Sequence, residues 1–323
     1  MRRCSFPASM GAALALCMAC TAPALAASDK PLRIVVGFPA GSTGDVIARI
    51  FAPRLGEALG QPVIIDNRPG AGSSIAADAV VNAPADGNTL LLSTTANVIN
   101  TSLYAHLRFS FTKDLTPVML VADAPAVLIA GPSLPQGTVK ELIAAASQAP
   151  GKFTYGSSGN GTFTHLYGEL FNQSASVQLT HVPYKGSSQA LTDVMAGAVD
   201  LSFTPLAPVL GSIKSGKVKA LALIGQQRIP SLPQVPTFGE AGIAGFDAAL
   251  WFGLHVRAGT PAAAVDRLAS ELKKVLSDPE IRRQLSEQSI EVVASTPQQF
   301  AATIASESSK WSKVIATAGI KPE

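Results

Sequence analysis

Cysteine is absent from nearly the whole chain. All three cysteines, Cys4, Cys17 and Cys20, fall within the first 20 of 323 residues. The sequence beyond them therefore cannot form a disulfide, a thiolate metal site or a cysteine nucleophile. An ordinary apolar core must stabilise the fold.

Long apolar runs are also lacking beyond the amino terminus. No later segment reaches the ~18 consecutive apolar residues that a membrane-spanning helix needs. At the amino terminus, Arg2 and Arg3 precede the apolar run Met10–Ala19, and the small residues of Ala24–Ala26 follow. This pattern is typical of a secretory signal peptide and predicts cleavage after Ala26 and export of the remainder.

Neither sign of charge dominates or clusters. The chain has 25 Lys and Arg against 22 Asp and Glu, and two of the basic residues lie in the predicted leader. Without a basic patch, nucleic acid is excluded as a partner. His106, His181 and His255 are isolated and lack metal-binding spacings, so neither a metal site nor any cofactor is expected.

Short β-branched strands alternate with helical patterns along the chain. Leu32–Phe38 is a buried strand, and the apolar residues that follow it recur at helical spacing. This alternation favours an α/β fold with parallel sheets covered on both faces. The length exceeds that of one compact core and indicates two lobes. We expect residues 27–125 plus 249–323 in lobe 1 and residues 126–248 in lobe 2. Crossing strands are expected at Val118–Ala130 and Ala248–Gly253, with the molecule a monomer.

Two turns rich in Gly, Ser and Thr connect a strand to a helix. The first turn is Gly37–Arg49 and the second turn is Tyr155–Leu166. Free N–H groups and the positive helix end at such junctions suit a carboxylate or phosphate. The glycines could instead serve only chain reversal, but two such turns in separate units favour a ligand clamp. Its predicted contacts are Phe38, Ala40, Gly41, Ser42, Thr43, Ser157, Ser158, Gly159, Asn160, Gly161 and Thr162.

Further candidates lie outside these two turns. A third turn, Tyr184–Leu191, has the same form and adds Lys185, Gly186 and Ser187. Lys185 could neutralise a ligand carboxylate or be a solvated turn residue. Ser93 and Thr94 follow the third strand and form another candidate rim. Asp45 favours the positive end of its helix, a structural role, and contact with a ligand amino group is the second interpretation.

Enzyme motifs are incomplete. The dinucleotide-binding motif GxGxxG is not matched, because Thr164 occupies the place of the third glycine. The sequence also has neither a phosphate-binding GxxxxGK[ST] loop nor the GxSxG nucleophile elbow of esterases. Ser158 and His165 could be imagined as a nucleophile and base, which leaves a serine hydrolase as the weakest alternative. The protein is therefore not expected to be an enzyme.

Several ordered motifs resemble one family. PLRIVVGFPAGSTGDVIARIFAPRLGEALGQPVIIDNRPGAGSSIAADAV, PADGNTLLLST, FTYGSSGNGTFTHL, VPYKGSSQALTDVMAGAVDLSF and SLPQVPTFGEAG are similar to the Bug/TctC receptors of tripartite tricarboxylate transporters. The resemblance implies a periplasmic two-lobed Venus-flytrap protein of type II with two crossing strands. It also implies that Phe38–Thr43 and Ser157–Thr162 close on a small organic acid or amino acid for a membrane permease. A sensor kinase is the alternative partner. Gly41-Ser42 replaces the paired glycines common in the family, so a relative's ligand cannot be copied.

Overall fold

A computed structural model of the chain describes Met1 and residues 30–104, 107–225, 227–244, 246 and 250–320. The predicted signal peptide, His106 and part of Ala248–Gly253 lie outside the described residues. The strands are β1 Leu32–Val36, β2 Val63–Asn67, β3 Thr89–Thr94, β4 Leu115–Ala124, β5 Ala126–Ala130, β6 Thr154–Ser157, β7 Thr180–Pro183, β8 Leu201–Pro205, β9 Lys219–Ile224, β10 Leu250–Arg257 and β11 Glu291–Val292. The helices are α1 Thr43–Leu59, α2 Ser74–Val81, α3 Thr95–Leu103, α4 Phe111–Asp114, α5 Val139–Gln148, α6 Phe163–Ala175, α7 Ser187–Ala196, α8 Leu210–Lys214, α9 Ala262–Leu276, α10 Pro279–Glu287 and α11 Pro297–Ala318.

The strands form two sheets. The six-stranded sheet has the order β11-β4-β10-β3-β1-β2, and the five-stranded sheet has the order β7-β6-β8-β5-β9. The expectation of parallel sheets is wrong in part. β10 is antiparallel to β3 and β4, and β5 is antiparallel to β8 and β9. β5 and β10 are the strands by which the chain enters the other sheet. Each runs opposite in direction to the strands beside it.

Two connections join the sheets and confirm the two-lobed α/β architecture. β4 belongs to the six-stranded sheet and β5 to the other, with Pro125 alone between them. The chain returns from β9, which ends at Ile224, to β10, which begins at Leu250. We call the part built on the six-stranded sheet the first lobe and the part built on the five-stranded sheet the second lobe.

Apolar periodicity explains how α1 packs on the first sheet. Ile47, Phe51, Leu55 and Leu59 all lie on its buried face, none more than 5% exposed. Burying one such side chain is worth roughly 1.5–3 kcal/mol. The helix ends at Gly60, whose φ of 69° is left-handed and suits glycine.

The helices differ in how their amino ends are capped. Thr138 caps α5 by accepting from Glu141 N–H, but the Glu141 carboxylate accepts from Gly137 N–H instead of completing a capping box. Thr260 does not cap α9, because its hydroxyl donates to the carbonyl of Arg257. Asp278 and Thr296 cap α10 and α11 with their side chains.

The carboxyl-terminal helix α11 contacts both lobes. It packs on α3 and β4 of the first lobe and also on α6 of the second. There the rings of Trp311 and Tyr167 meet edge to face, with centroids 5.6 Å apart and both side chains buried. Such a pair contributes roughly 0.5–1.5 kcal/mol beyond its burial. Within the described part of the chain, no helix is long and apolar enough to cross a membrane.

Candidate functional site

A cavity of about 310 Å³ lies between the lobes. The first lobe contributes the start of α1, and the second contributes the start of α7 together with the ends of β6 and β8. Its lining consists of Phe38, Pro39, Ala40, Gly41, Ser42, Thr43, Gly44, Thr94, Ser158, Phe163, Lys185, Gly186, Ser187, Ser188, Gln189, Pro205, Pro208, Leu250 and Phe252. The structure therefore gathers residues from all three predicted turns around one space.

Residues of the first turn that line this cavity carry donors without a described partner. Ser42 caps α1, and its hydroxyl accepts from Asp45 N–H at 3.4 Å. The N–H groups of Thr43 and Gly44 have no acceptor among the described residues. The Thr43 hydroxyl is buried and also without a partner. A buried polar group without a partner is costly, so this helix end is suited to an anionic ligand.

Asp45 holds the first turn in shape rather than facing the cavity. Its carboxylate accepts from Gly41 N–H at 2.9 Å, from Arg49 Nε at 2.9 Å and from Asn67 Nδ2 at 3.0 Å. Burial alone would raise the pKa of Asp45, but these hydrogen bonds and the Arg49 charge lower it below its usual range. Asp45 is only 2% exposed and absent from the lining, so the structure favours its structural role.

The third turn supplies the second lobe's donors. Gly186 precedes α7, and the N–H groups of Ser187 and Ser188 have no acceptor among the described residues. Lys185 is exposed, lines the cavity and makes no ion pair with another described residue. It is the single charged side chain in the described lining, so the cavity carries a positive charge at this end.

The second turn is bonded mainly to itself. Ser158 N–H donates to Thr164 Oγ1 at 2.8 Å, and Gly161 N–H donates to His165 Nδ1 at 3.2 Å. The N–H groups of Gly159 and Thr162 likewise donate within the turn. Ser158 reaches the lining, whereas the remaining predicted residues of this turn, Ser157, Gly159, Asn160, Gly161 and Thr162, lie outside it. The expected row of ligand-facing N–H groups is not present here.

A stacked histidine pair lies beneath the second turn. The rings of His165 and His181 are 4.0 Å apart and nearly parallel, and His181 Nε2 is 2.6 Å from Ser157 Oγ. Burial, together with the neighbouring His165, lowers the pKa of His181 to about 3. Ser158 bonds to Thr164 rather than to His165. The imagined Ser158–His165 catalytic pair is therefore not formed.

The lobes approach each other closely at Gly161 and at Gly186. A Cβ atom placed on Gly161 would lie 3.3 Å from Leu103 Cδ1 and 3.6 Å from the Tyr104 hydroxyl, across the lobe boundary. A Cβ atom on Gly186 would lie 4.0 Å from Pro39 Cγ. The described conformation is therefore a closed one.

The other candidates divide between lining and core. Thr94 lines the cavity and caps α3 in a reciprocal box with Asn97. Ser93 is fully buried, donates to the Gly253 carbonyl and lies 2.9 Å from His255 Nδ1, so it belongs to the core. The apolar walls Phe163, Pro205, Pro208 and Leu250 were not expected from the sequence. Phe252 of β10 also lines the cavity.

Two sheets joined by two crossing connections, with a donor-lined cavity between the lobes, define a periplasmic solute-binding protein. The model of the "Tripartite tricarboxylate transporter family receptor" matches residues 47–320. The chain belongs to this family, which confirms the Bug/TctC resemblance. It is a solute-binding receptor and not an enzyme, and its family is periplasmic.

Individual relatives cover nearly the whole chain. BugT of Bordetella pertussis is 34% identical over 90% of both chains. The protein of the tcbD-tcbE intergenic region of a Pseudomonas species is 37% identical over 89% of this chain and 86% of its own. The solved structure of R. palustris Rpa4515 with adipate has a TM-score of 0.86 at 36% identity, covering 91% of this chain and 98% of that one. MatC from Rhodopseudomonas palustris, with bound malate, has a TM-score of 0.83 at 29% identity, covering 88% and 98%.

Proposed function

We propose that this receptor binds a small carboxylate in the inter-lobe cavity and delivers it to a tripartite tricarboxylate permease. The observation that carries the proposal is the start of α1. There the buried Thr43 hydroxyl and the N–H groups of Thr43 and Gly44 have no described partner and adjoin one cavity. A carboxylate would satisfy these donors and the positive helix end together.

The second lobe would complete the site. Ser187, Ser188 and Lys185 would then donate from the opposite side, while water is excluded and each hydrogen bond strengthens. Two solved relatives are described with adipate and malate, both carboxylates, which supports the assignment. The lobes would comprise residues 27–125 plus 249–323 and residues 126–248, in a monomer released by cleavage after Ala26.

The test is ligand binding by the mature chain after unfolding and refolding, which removes any carried solute. A ligand that binds only the folded state raises the melting temperature in a concentration-dependent way. Screening mono-, di- and tricarboxylates should give such a rise for at least one. Thr43→Val keeps the shape but removes the hydroxyl, and should weaken binding by roughly tenfold, since a hydrogen bond to a charged group contributes roughly 1.5–3 kcal/mol.

Thr303→Val is the matched control, because the Thr303 hydroxyl donates within α11, remote from the cavity. It should leave affinity unchanged. No response to any carboxylate, or equal affinity in Thr43→Val and wild type, would contradict the proposed site. The permease is tested by uptake: ligand transport in cells carrying the permease should require this receptor, whereas a sensor partner would leave uptake intact.

A further inference from the structure

Resting on the proposed function, the chemistry of the cavity narrows the class of ligand. We infer that the receptor selects a dicarboxylate whose body is an unsubstituted hydrocarbon, and that it rejects α-amino acids. Three features of the described lining support this: its anion-binding groups come from opposite lobes, its walls between them are apolar, and it contains no carboxylate.

The lack of a carboxylate disfavours an ammonium group. No Asp or Glu is among the described lining residues. The nearest candidate, Asp45, is 2% exposed and already accepts from Gly41, Arg49 and Asn67. An ammonium group transferred into this cavity would lose water without gaining an anionic partner, and that transfer is strongly unfavourable. The second interpretation of Asp45, contact with a ligand amino group, is therefore set aside.

The walls favour an unsubstituted body. The rings of Phe38, Phe163 and Phe252 line the cavity together with Leu250 and Pro205. Phe163 and Phe252 are 6% and 3% exposed, so each is held in place by packing. A hydrocarbon chain or ring gains from contact with these side chains. A hydroxyl or third carboxyl group on the body would be desolvated against them.

Two acid groups match the two sets of donors, one on each lobe. On the first lobe, Thr43 and Gly44 offer a hydroxyl and two N–H groups. On the second lobe, Ser187 and Ser188 offer N–H groups beside the Lys185 ammonium. A carboxylate at each end bonds both lobes at once and stabilises the closed arrangement.

The experiment measures affinity by calorimetry for four probes: adipate, hexanoate, 2-aminoadipate and citrate. Adipate and hexanoate differ by one carboxyl group, and 2-aminoadipate adds only an ammonium group to adipate. We expect adipate to bind most tightly and the other three to bind at least about tenfold more weakly. Hexanoate lacks the charged hydrogen bonds of the second carboxylate. The ammonium group of 2-aminoadipate and the additional polar groups of citrate would be buried without partners. Lys185→Gln should weaken adipate about tenfold and leave hexanoate unchanged.

Lys217→Gln is the matched control. It removes the same charge from the same lobe, but Lys217 is exposed and does not line the cavity. It should leave all four affinities unchanged. If 2-aminoadipate or citrate binds as tightly as adipate, or if Lys185→Gln affects hexanoate and adipate equally, the inference is overturned while the proposed function stands. If no carboxylate binds, the proposed function itself fails.

Discussion

Asp45 accepts a hydrogen bond from the N–H of Gly41, four residues before it, at 2.9 Å. Gly41 has a φ of 81°, a left-handed conformation that glycine adopts without strain. The same carboxylate is fixed by Arg49 and Asn67, and Asn67 also donates to the Phe38 carbonyl. The first turn is therefore held in its binding shape by the protein's own side chains, before any ligand arrives.

Replacing Asp45 should cost stability. Asp45→Ala leaves the N–H of Gly41 and the side chains of Arg49 and Asn67 without their acceptor, so we expect a loss of about 2 kcal/mol in urea unfolding at neutral pH. Because the folded-state pKa of Asp45 is lowered, its contribution is present above the ordinary carboxyl pKa and lost as pH falls below it. Asp86→Ala is the control, since Asp86 pairs with the exposed Lys30 and should cost less. Equal losses would contradict this role of Asp45.

A side chain at Gly161 should impair closure of the lobes. Gly161 and Gly216 both have a φ of 72°, but Gly161 faces Leu103 across the lobe boundary and Gly216 faces open space. Gly161→Val and Gly216→Val should lose similar stability from backbone strain, of the order of 1–3 kcal/mol. Gly161→Val alone should weaken ligand binding, by at least about tenfold in calorimetry, because the ligand must then also offset the clash of the added side chain with Leu103 when the lobes close. Equal affinities in the two variants would contradict the closed contact.

His255 should make the protein less stable in mild acid. Its ring is fully buried against Phe111 and Phe300, and burial lowers its pKa to about 3. Between pH 3 and the unfolded value of about 6.5 the unfolded chain binds the extra proton, so stability rises with pH across this window and falls on acidification. From pH 7.5 to pH 5, His255 should account for about 2 kcal/mol of lost unfolding free energy. His255→Leu should lose correspondingly less over that interval. An unchanged pH slope would contradict the prediction.

Asp123 should act in the opposite direction. Burial, with the nearby charges of Glu291 and Glu307, raises its pKa to about 6. The folded protein therefore holds an extra proton between the ordinary carboxyl pKa and pH 6, so this group's contribution to stability falls as pH rises through that window. The melting temperature of Asp123→Asn minus that of wild type should therefore be larger at pH 8 than at pH 4. Arg228 and Arg282 line a surface groove together with Asp123, so the test is made at low and high salt to screen their charges. A difference that is the same at both pH values would contradict it.

Much of the fold could be predicted because its signals are local. The helical spacing from Ile47 to Leu59 and the capping residues Asp278 and Thr296 correspond to observed elements. Strand direction could not be predicted, because an apolar run such as β10 looks the same in either direction. α3 was missed since its start, Thr94-Thr95, follows β3 without a break and its capping box uses Asn97 in place of Glu or Gln.

The site was less predictable than the fold. The first and third turns could be found from their composition, and residues of both line the cavity. The second turn has the same composition, but its N–H groups are taken by Thr164 and His165, partners that only the folded geometry reveals. Phe163, Pro205 and Leu250 come from separate ends of elements in both lobes, so no local pattern could bring them together.

The position of β10 has a consequence for the order of assembly. β10 lies between β3 and β4 inside the first sheet, yet the chain completes all of β5 to β9 before it arrives. The five-stranded sheet is drawn from one continuous stretch and can pair fully as soon as that stretch is available. The six-stranded sheet must wait for a strand from beyond the whole of the other lobe, with β3 and β4 exposing unpaired edges meanwhile. The second lobe can therefore fold first, and β10 is the strand that later joins β3 to β4 within the first sheet.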